Sequence, residues 1–252
     1  MSKTPVSIVI PTFNEEKNIE DCLKSASWAE EIIVVDGGST DKTREIADRY
    51  TAQILVTENA PAETQRLKGL KRIKNEWFFL LDADERVSEK LQKQIQEAIG
   101  SPHPKSAYYV LRRNVYRNKP VHLHNPDYQL RLFRKDEADA LPDRIHRIPL
   151  IRGRTGRLDG ALIHHFFTSV QDYVTKLNRY TVIEASYWRQ EKRRIAGWRA
   201  PYYLVLRPAG RFLQYYFLKK GFLDGFFGFF FSLSSAYYEM IVAALVLGES
   251  KD

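Results

Sequence analysis

The first hundred residues alternate short apolar runs with longer amphipathic stretches, the pattern of strand, helix and strand in succession. Apolar runs at residues 6–10, 31–35, 53–56 and 77–81 predict strands, and the intervening spacing predicts helices over 17–26, 41–50 and 64–71. A fourth helix is predicted over 88–99. Ser88 offers its N-cap, Leu91, Ile95 and Ile99 recur every fourth residue, and Gly100 with Pro102 ends it. Such alternation implies an α/β fold with a mostly parallel, right-handed, doubly wound sheet and helices on both faces. From Ala107 the period changes. Residues 108–112 and 129–133 read as strands in a mixed part of the sheet, joined by loops rich in His, Asn and Pro. A long helix is predicted over 170–189, and residues 207–247 form a helical extension dominated by Phe, Tyr, Leu and Gly.

A chain of 252 residues with 44% apolar composition can bury a full core, which excludes a disordered protein. The single Cys22 excludes an intramolecular disulfide framework and, on a helix face, reads as packing rather than as a nucleophile. The N-terminal run is too short and too polar in its flanks for a signal peptide, so a cytoplasmic location is expected. The net charge of +8 is local: between Arg189 and Lys220, nine Lys or Arg stand against the single acid Glu191. No recognition helix, zinc spacing or RNA-binding motif accompanies this stretch, so nucleic acid is not an expected partner.

An anionic membrane surface suits a basic stretch that runs into an apolar one. Residues 222–247 are long enough to span a bilayer, but Asp224, Glu239 and several Ser interrupt them. The expectation is peripheral attachment at the inner face of the cytoplasmic membrane. The Phe-rich face would meet acyl chains, and Arg207, Arg211, Lys219 and Lys220 would meet phosphates. Buried core helices and a homo-oligomer interface are the alternatives.

In an open parallel sheet the ligand lies beyond the carboxyl ends of the strands. There the chain places Pro11-Thr12-Phe13-Asn14-Glu15-Glu16, Asp36-Gly37-Gly38-Ser39-Thr40-Asp41 and Asp82-Ala83-Asp84-Glu85. Neither G-x-G-x-x-G nor a P-loop occurs, so phosphates must be neutralised in another way. Two aspartates one residue apart can direct hard oxygen ligands to one point, which suits Mg²⁺ or Mn²⁺ bridging a diphosphate. Plainer readings stand beside these: acids after strands cap helices, Asp36 before two glycines is a turn residue, and Arg66 is an ordinary helix charge. His122, His124, His164 and His165 raise a transition-metal site, but no Cys partner exists and the spacing argues against zinc. On a strand, adjacent His164 and His165 face opposite ways, so at most one serves a site.

The three segments 9–16, 34–41 and 81–85, in this order and spacing, resemble the successive signatures of family 2 glycosyltransferases. Tyr128-Gln129-Leu130-Arg131-Leu132-Phe133, His165 with Lys176, Asn178, Arg179 and Tyr180, and Gly221-Phe222-Leu223-Asp224-Gly225 are similar to the subgroup that adds β-linked glucose to the lipopolysaccharide inner core. The resemblance implies a GT-A fold over residues 1–165, with a membrane-associated helical extension over 166–252. It also implies a UDP-sugar donor, inversion at the anomeric carbon and a glycolipid or lipopolysaccharide-core acceptor. By the same resemblance Thr12 and Asp36 contact the base, Arg66 helps hold the nucleotide, Asp82 faces ribose or phosphate, and Asp84 binds the metal, with His165 adding a contact. Pro11, Glu15 and Ala83 complete the nucleotide-sugar site.

An inverting transfer needs a base for the acceptor hydroxyl and an electrophile for the departing diphosphate. The metal supplies the second. For the first, the loop Asp143-Arg144-Ile145-His146-Arg147 offers Asp143, then His146, whose imidazole titrates near neutral pH. Related sequences often carry Glu directly after this His, where this chain has Arg147. That departure keeps two other readings in play: a transferase to polyprenyl phosphate, whose acceptor is already an anion, and a non-catalytic nucleotide-sugar-binding scaffold.

Overall fold

The structure, a computed structural model, describes residues 3–50, 53–58, 60–116, 119–123, 126–138, 151–165, 169–191 and 194–248. The chain divides into two compact units, Met1–Arg113 with Pro126–His164, and Asn114–Asn125 with His165–Asp252. In the first unit, strands β1 (Thr4–Thr12), β2 (Ala29–Asp36), β3 (Gln53–Val56) and β4 (Trp77–Leu80) run parallel in the order β3-β2-β1-β4. Beyond β4 the sheet turns antiparallel, through β8 (Asp127–Arg134), then β6 (Ala107–Tyr116), β9 (Thr155–His165) and β5 (Glu85–Val87). The parallel half follows the sequence pattern. The antiparallel half is larger than the two strands the pattern shows.

Helices cover both faces. Val6, Ile8 and Ile10 of β1 pack with Ile19, Cys22 and Leu23 of α1 (Ile19–Ala26), Ala47 of α2 (Thr43–Asp48), and Leu91 and Ile95 of α4 (Glu89–Ile99). Val9 turns the other way, among Ile33, Val35, Phe78, Leu80 and Leu70 of α3 (Ala62–Leu70). A Cβ on Gly69 would stand 2.5 Å from Val9 Cγ1, so the missing side chain lets α3 lie close on the sheet. Arg66, one turn earlier, is thereby carried to the strand ends. Ser88 caps α4, accepting from the Leu91 N–H at 3.3 Å. Helix α2 is shorter than its pattern suggests because Asp41 accepts from the Thr43 N–H at 3.0 Å, so its side chain closes a turn where the helix was expected to begin.

The second unit contains α5 (Val170–Gln190), a helical run over 202–218 centred on α6 (Arg207–Leu213), and α7 (Gly225–Gly248). β7 (Lys119–Pro120) pairs with the end of β6. The Gly221–Asp224 turn has a physical explanation. Asp224, its side chain 3% exposed, accepts from the N–H groups of His122 and Leu123 at 2.7 and 2.8 Å and pairs with His122 Nδ1 at 2.9 Å. A Cβ on Gly228 would collide with the Gly221 carbonyl, and Gly225 has φ +57°.

Arg207 and Arg211 require a correction to the membrane reading. Both bind Glu239, Arg207 Nη2 at 2.7 Å, and Arg207 also lies over the Trp188 ring. An acid inside an apolar helix is costly unless paired, so these arginines are engaged within the unit rather than held out toward phosphates. The stretch Gly221–Gly248 is long and apolar enough to cross a membrane by length and composition, although part of it is buried.

Candidate active site

Thr12 and Asp36 are the last paired residues of β1 and β2, so their side chains meet at the carboxyl edge of the parallel sheet. Pro11, which has no N–H, falls after the last β1–β4 pair of Val9 with Leu80 and breaks no pairing there. The Thr12 N–H donates to Gln65 Oε1 at 2.9 Å, and Gln65 Nε2 donates to the Ala60 carbonyl at 2.9 Å. Gly37 lies so close that a Cβ would come within 2.5 Å of Gln65 Nε2. The Thr12 hydroxyl is buried and has no hydrogen-bond partner. An orphaned buried hydroxyl costs about 1–3 kcal/mol, so it marks a position where a ligand group would be stabilising.

Asp36 is fully buried and organises its own loop. Its Oδ1 accepts from the N–H groups of Gly38 (3.0 Å) and Ser39 (2.9 Å), and its Oδ2 from the Ser39 hydroxyl. The turn role is therefore real, while a carboxylate retains lone pairs for one more donor. Asn14, at φ 55°, accepts from the Thr40 N–H at 2.9 Å, and the Glu15 N–H donates to Thr43 Oγ1 at 2.8 Å. The Glu15 carboxylate accepts from Asn18 Nδ2 at 2.7 Å, so it serves the β1–α1 loop. The loops after β1 and β2 are thus laced into one rim.

The third rim segment is a tight turn. The Glu85 N–H donates to the Asp82 carbonyl at 2.9 Å, and the Asp82 N–H donates to Glu85 Oε2 at 3.1 Å. Ala83 is buried, whereas Asp82 and Asp84 are partly exposed. Both Asp82 oxygens are engaged: Oδ1 by Arg66 Nη2 and Oδ2 by Arg131 Nη2 at 2.8 Å. Arg131 also reaches Glu85 Oε1 at 2.6 Å, Arg112 lies 3.8 Å from that oxygen, and Arg112 binds Asp127 at 2.7 Å. Acid and base groups alternate from Arg66 through Asp82, Arg131, Glu85 and Arg112 to Asp127. Burial works against ionisation of Asp82, but Arg131 and then Arg66 outweigh it and hold the carboxyl far below the usual carboxylate range. Burial pushes Glu85 up against the pull of Arg131. Asp82 is therefore the fixed anion of the pair. Two buried Nε–H groups, of Arg66 and Arg131, lack a partner.

Asp84 has a different neighbour. Strand β5 pairs antiparallel with β9, setting Glu85 opposite His164, and His164 Nε2 lies 3.6 Å from Asp84 Oδ2. The resemblance points to His165 for a contact here; the structure pairs His164 with Asp84. Burial lowers the His164 pKa, yet the Asp84 carboxylate raises it more, so the net direction is up. A raised folded-state value gives stability that is complete below the unfolded value and lost as pH rises through the folded one. The thermal midpoint of the metal-free protein should therefore decline as pH is raised from about 6 into the alkaline range, and His164→Gln should flatten that decline. Parallel profiles for the two proteins would show that the pair does not form. Asp143, His146 and His124 lie outside the described residues. Among the described residues, no three His, Cys, Asp or Glu side chains group as a complete metal site.

An acid- and arginine-lined edge of an α/β sheet, without a glycine phosphate loop, has the layout of a GT-A glycosyltransferase. Residues 7–153, more than half of the chain, match Glycosyl transferase family 2, and the chain belongs to that family. Lipopolysaccharide core biosynthesis glycosyltransferase LpsC of Rhizobium meliloti (strain 1021) is 26% identical over 255 residues, spanning 97% of this chain and 92% of the relative. Uncharacterized glycosyltransferase RP128 of Rickettsia prowazekii (strain Madrid E) is 28% identical over 247 residues, spanning 92% and 83%. Among solved structures, S. aureus TarS 1-349 in complex with UDP-GlcNAc is similar at a TM-score of 0.49 and 17% identity, over 98% of this chain and 84% of that one.

Proposed function

We propose that this glycosyltransferase inverts the anomeric carbon as it moves glucose from UDP-glucose to a lipopolysaccharide-core or other lipid-linked acceptor, with Mg²⁺ or Mn²⁺ held at Asp84. The observation that supports the donor half is the division of labour in Asp82-Ala83-Asp84: Asp82 is clamped by two arginines, whereas Asp84 sits beside His164. The acceptor half is supported by a relative that matches nearly the whole chain and whose name places it in lipopolysaccharide core biosynthesis.

The residues fit a cation. Two donors bound to one ion at about 2.1 Å lie at most about 4.2 Å apart, and Asp84 Oδ2 and His164 Nε2 are within that limit at 3.6 Å. One or two protein ligands suffice, because such ions complete their shell with substrate phosphates and water. When bound, the cation neutralises charge on the departing diphosphate. The chain's own groups do the rest. The Thr12 hydroxyl meets a polar edge of the base, and Asp36 orders the adjoining loop and accepts from the base. Arg66, fixed by Asp82, turns its remaining N–H groups to phosphate. Asp143 takes the proton of the acceptor hydroxyl, with His146 the second candidate.

A panel of UDP-, GDP- and dTDP-sugars, hydrolysed in the presence of Mn²⁺, tests the donor, and UDP-glucose should turn over fastest. Asp143→Asn should lower transfer to core oligosaccharide at least about a hundredfold while leaving UDP affinity unchanged, the size expected for loss of a general base. Preference for a GDP- or dTDP-sugar would overturn the donor assignment. Transfer within a few-fold of wild type would remove Asp143 as the base.

A further inference from the structure

We propose that the helical hairpin of residues 202–237 is a membrane-docking face, seated in the headgroup layer of an anionic bilayer with the Leu218-Lys219-Lys220 tip leading. On α7, Phe226, Phe229, Leu233 and Tyr237 are exposed at steps of three and four, which places them on one side of the helix, and Phe222 is exposed in the turn before it. The opposite side carries Phe227, Phe231, Val242, Ala243 and Val246, all buried within the unit. The run over 202–218 likewise exposes Tyr202, Leu206, Leu213 and Phe217. The two exposed faces lie side by side, because Phe212 and Tyr216 touch Phe229 at ring distances of 5.8 and 5.9 Å, and Tyr216 touches Phe222 at 6.4 Å. At the tip, Leu218 is 80% exposed and Phe226 67%. A continuous apolar surface of this kind is costly to leave in water.

Charge selects the occupant. Between Glu191 and Glu239 the only acid is Asp224, whose side chain is buried, so the hairpin exposes Lys219 and Lys220 and no carboxylate of its own. A second copy would bring the same positive charge to the contact and be repelled, whereas anionic headgroups complement it. Glu239 does not oppose insertion, since Arg207 and Arg211 neutralise it inside the unit. An apolar face backed by a packed one suits a helix lying in the interface rather than one crossing it. The purpose of docking, delivery of the enzyme to a lipid-borne acceptor, rests on the proposed function, but docking itself requires no donor chemistry.

Flotation of the full chain with vesicles tests this. It should rise with vesicles of phosphatidylcholine and phosphatidylglycerol and bind vesicles of phosphatidylcholine alone far more weakly. Lys219→Ser with Lys220→Ser should weaken binding to the anionic vesicles about fivefold per lysine. Leu218→Glu with Phe226→Glu should weaken it at least about a hundredfold, with thermal midpoint and UDP affinity unchanged. Wild type left at the bottom of the gradient, or Glu variants that float as wild type does, would overturn the proposal. So would a dimer in sedimentation velocity that the Glu variants split without loss of flotation. A chain that floats but hydrolyses no nucleotide sugar would refute the functional reading and leave docking intact.

Discussion

Replacing Asp84 with Asn should lower Mn²⁺-dependent turnover of the sugar nucleotide about a thousandfold or more, because metal stabilisation of the leaving group contributes several kcal/mol and each 1.36 kcal/mol is a factor of ten. The loss should fall on kcat as well as kcat/KM, since charge on the diphosphate grows toward the transition state. Stability should change little. This holds above the His164 titration, where the imidazole is neutral and Asp84 is partly exposed, so no buried charge is stranded; below it the variant lacks the stability of the Asp84–His164 pair. Asp82→Asn contrasts with this: it removes the anion shared by Arg66 and Arg131 and should destabilise the fold as well as weaken nucleotide binding. Steady-state kinetics with thermal melting separate the two. Turnover by Asp84→Asn within a few-fold of wild type would mean that this carboxylate holds no catalytic cation.

The second large effect lies at Arg131. Its side chain is only 9% exposed and serves both Asp82 and Glu85, so Arg131→Met leaves the buried Glu85 with Arg112 alone at 3.8 Å and Asp82 with Arg66 alone. Breaking a buried ion pair by removing one partner costs about 3–5 kcal/mol, roughly 10 °C or more in midpoint for a chain of this size. Pairing the change with Glu85→Gln should recover part of the loss, because the neutral amide needs no countercharge. Arg131→Lys should also recover part of the loss, since one nitrogen, Nη2, serves both carboxylates and an ammonium placed there keeps the charge. The pH sign follows from Asp82: its depressed folded value gives stability above the ordinary aspartate value of 3.8, lost as pH falls through the folded one. Arg131→Met should shrink that contribution. A midpoint unchanged by Arg131→Met would rule out the network as an anchor for the rim.

These two positions differ in how visible they are in the chain. The place of Asp84 at the sheet edge was legible because the C-terminal residues of parallel strands converge by topology, so the segments after β1, β2 and β4 point to one edge. Ser88 was legible for a similarly local reason, a side chain capping its own helix. Arg131 stood out as a charge inside the apolar run Leu130–Phe133 and as part of a segment shared with the resembling subgroup, but that it reaches Asp82 depends on antiparallel pairing of β8 with β4, which no local pattern encodes. The choice of His164 over His165 depends on strand parity. A single-residue shift in register exchanges the two faces, and the register of β9 is set by its distant partner β5. Gln65 carries no signal in the sequence, because its bond to the Thr12 N–H depends on how closely α3 lies on the sheet at Gly69. In the apolar extension, the basic residues could be counted but not apportioned: Glu239 claims Arg207 and Arg211 across a helix pair, leaving Lys219 and Lys220 exposed.

Calorimetric titration of UDP into the full chain, with and without Mn²⁺, bears most directly on the cation site proposed at Asp84 and His164. Binding should be at least about tenfold tighter with Mn²⁺ in wild type, in line with a coupling above 1.4 kcal/mol, and Asp84→Asn should abolish that difference while keeping the metal-free affinity. Equal affinity with and without Mn²⁺ in wild type, or a metal effect that survives in Asp84→Asn, would contradict the assignment.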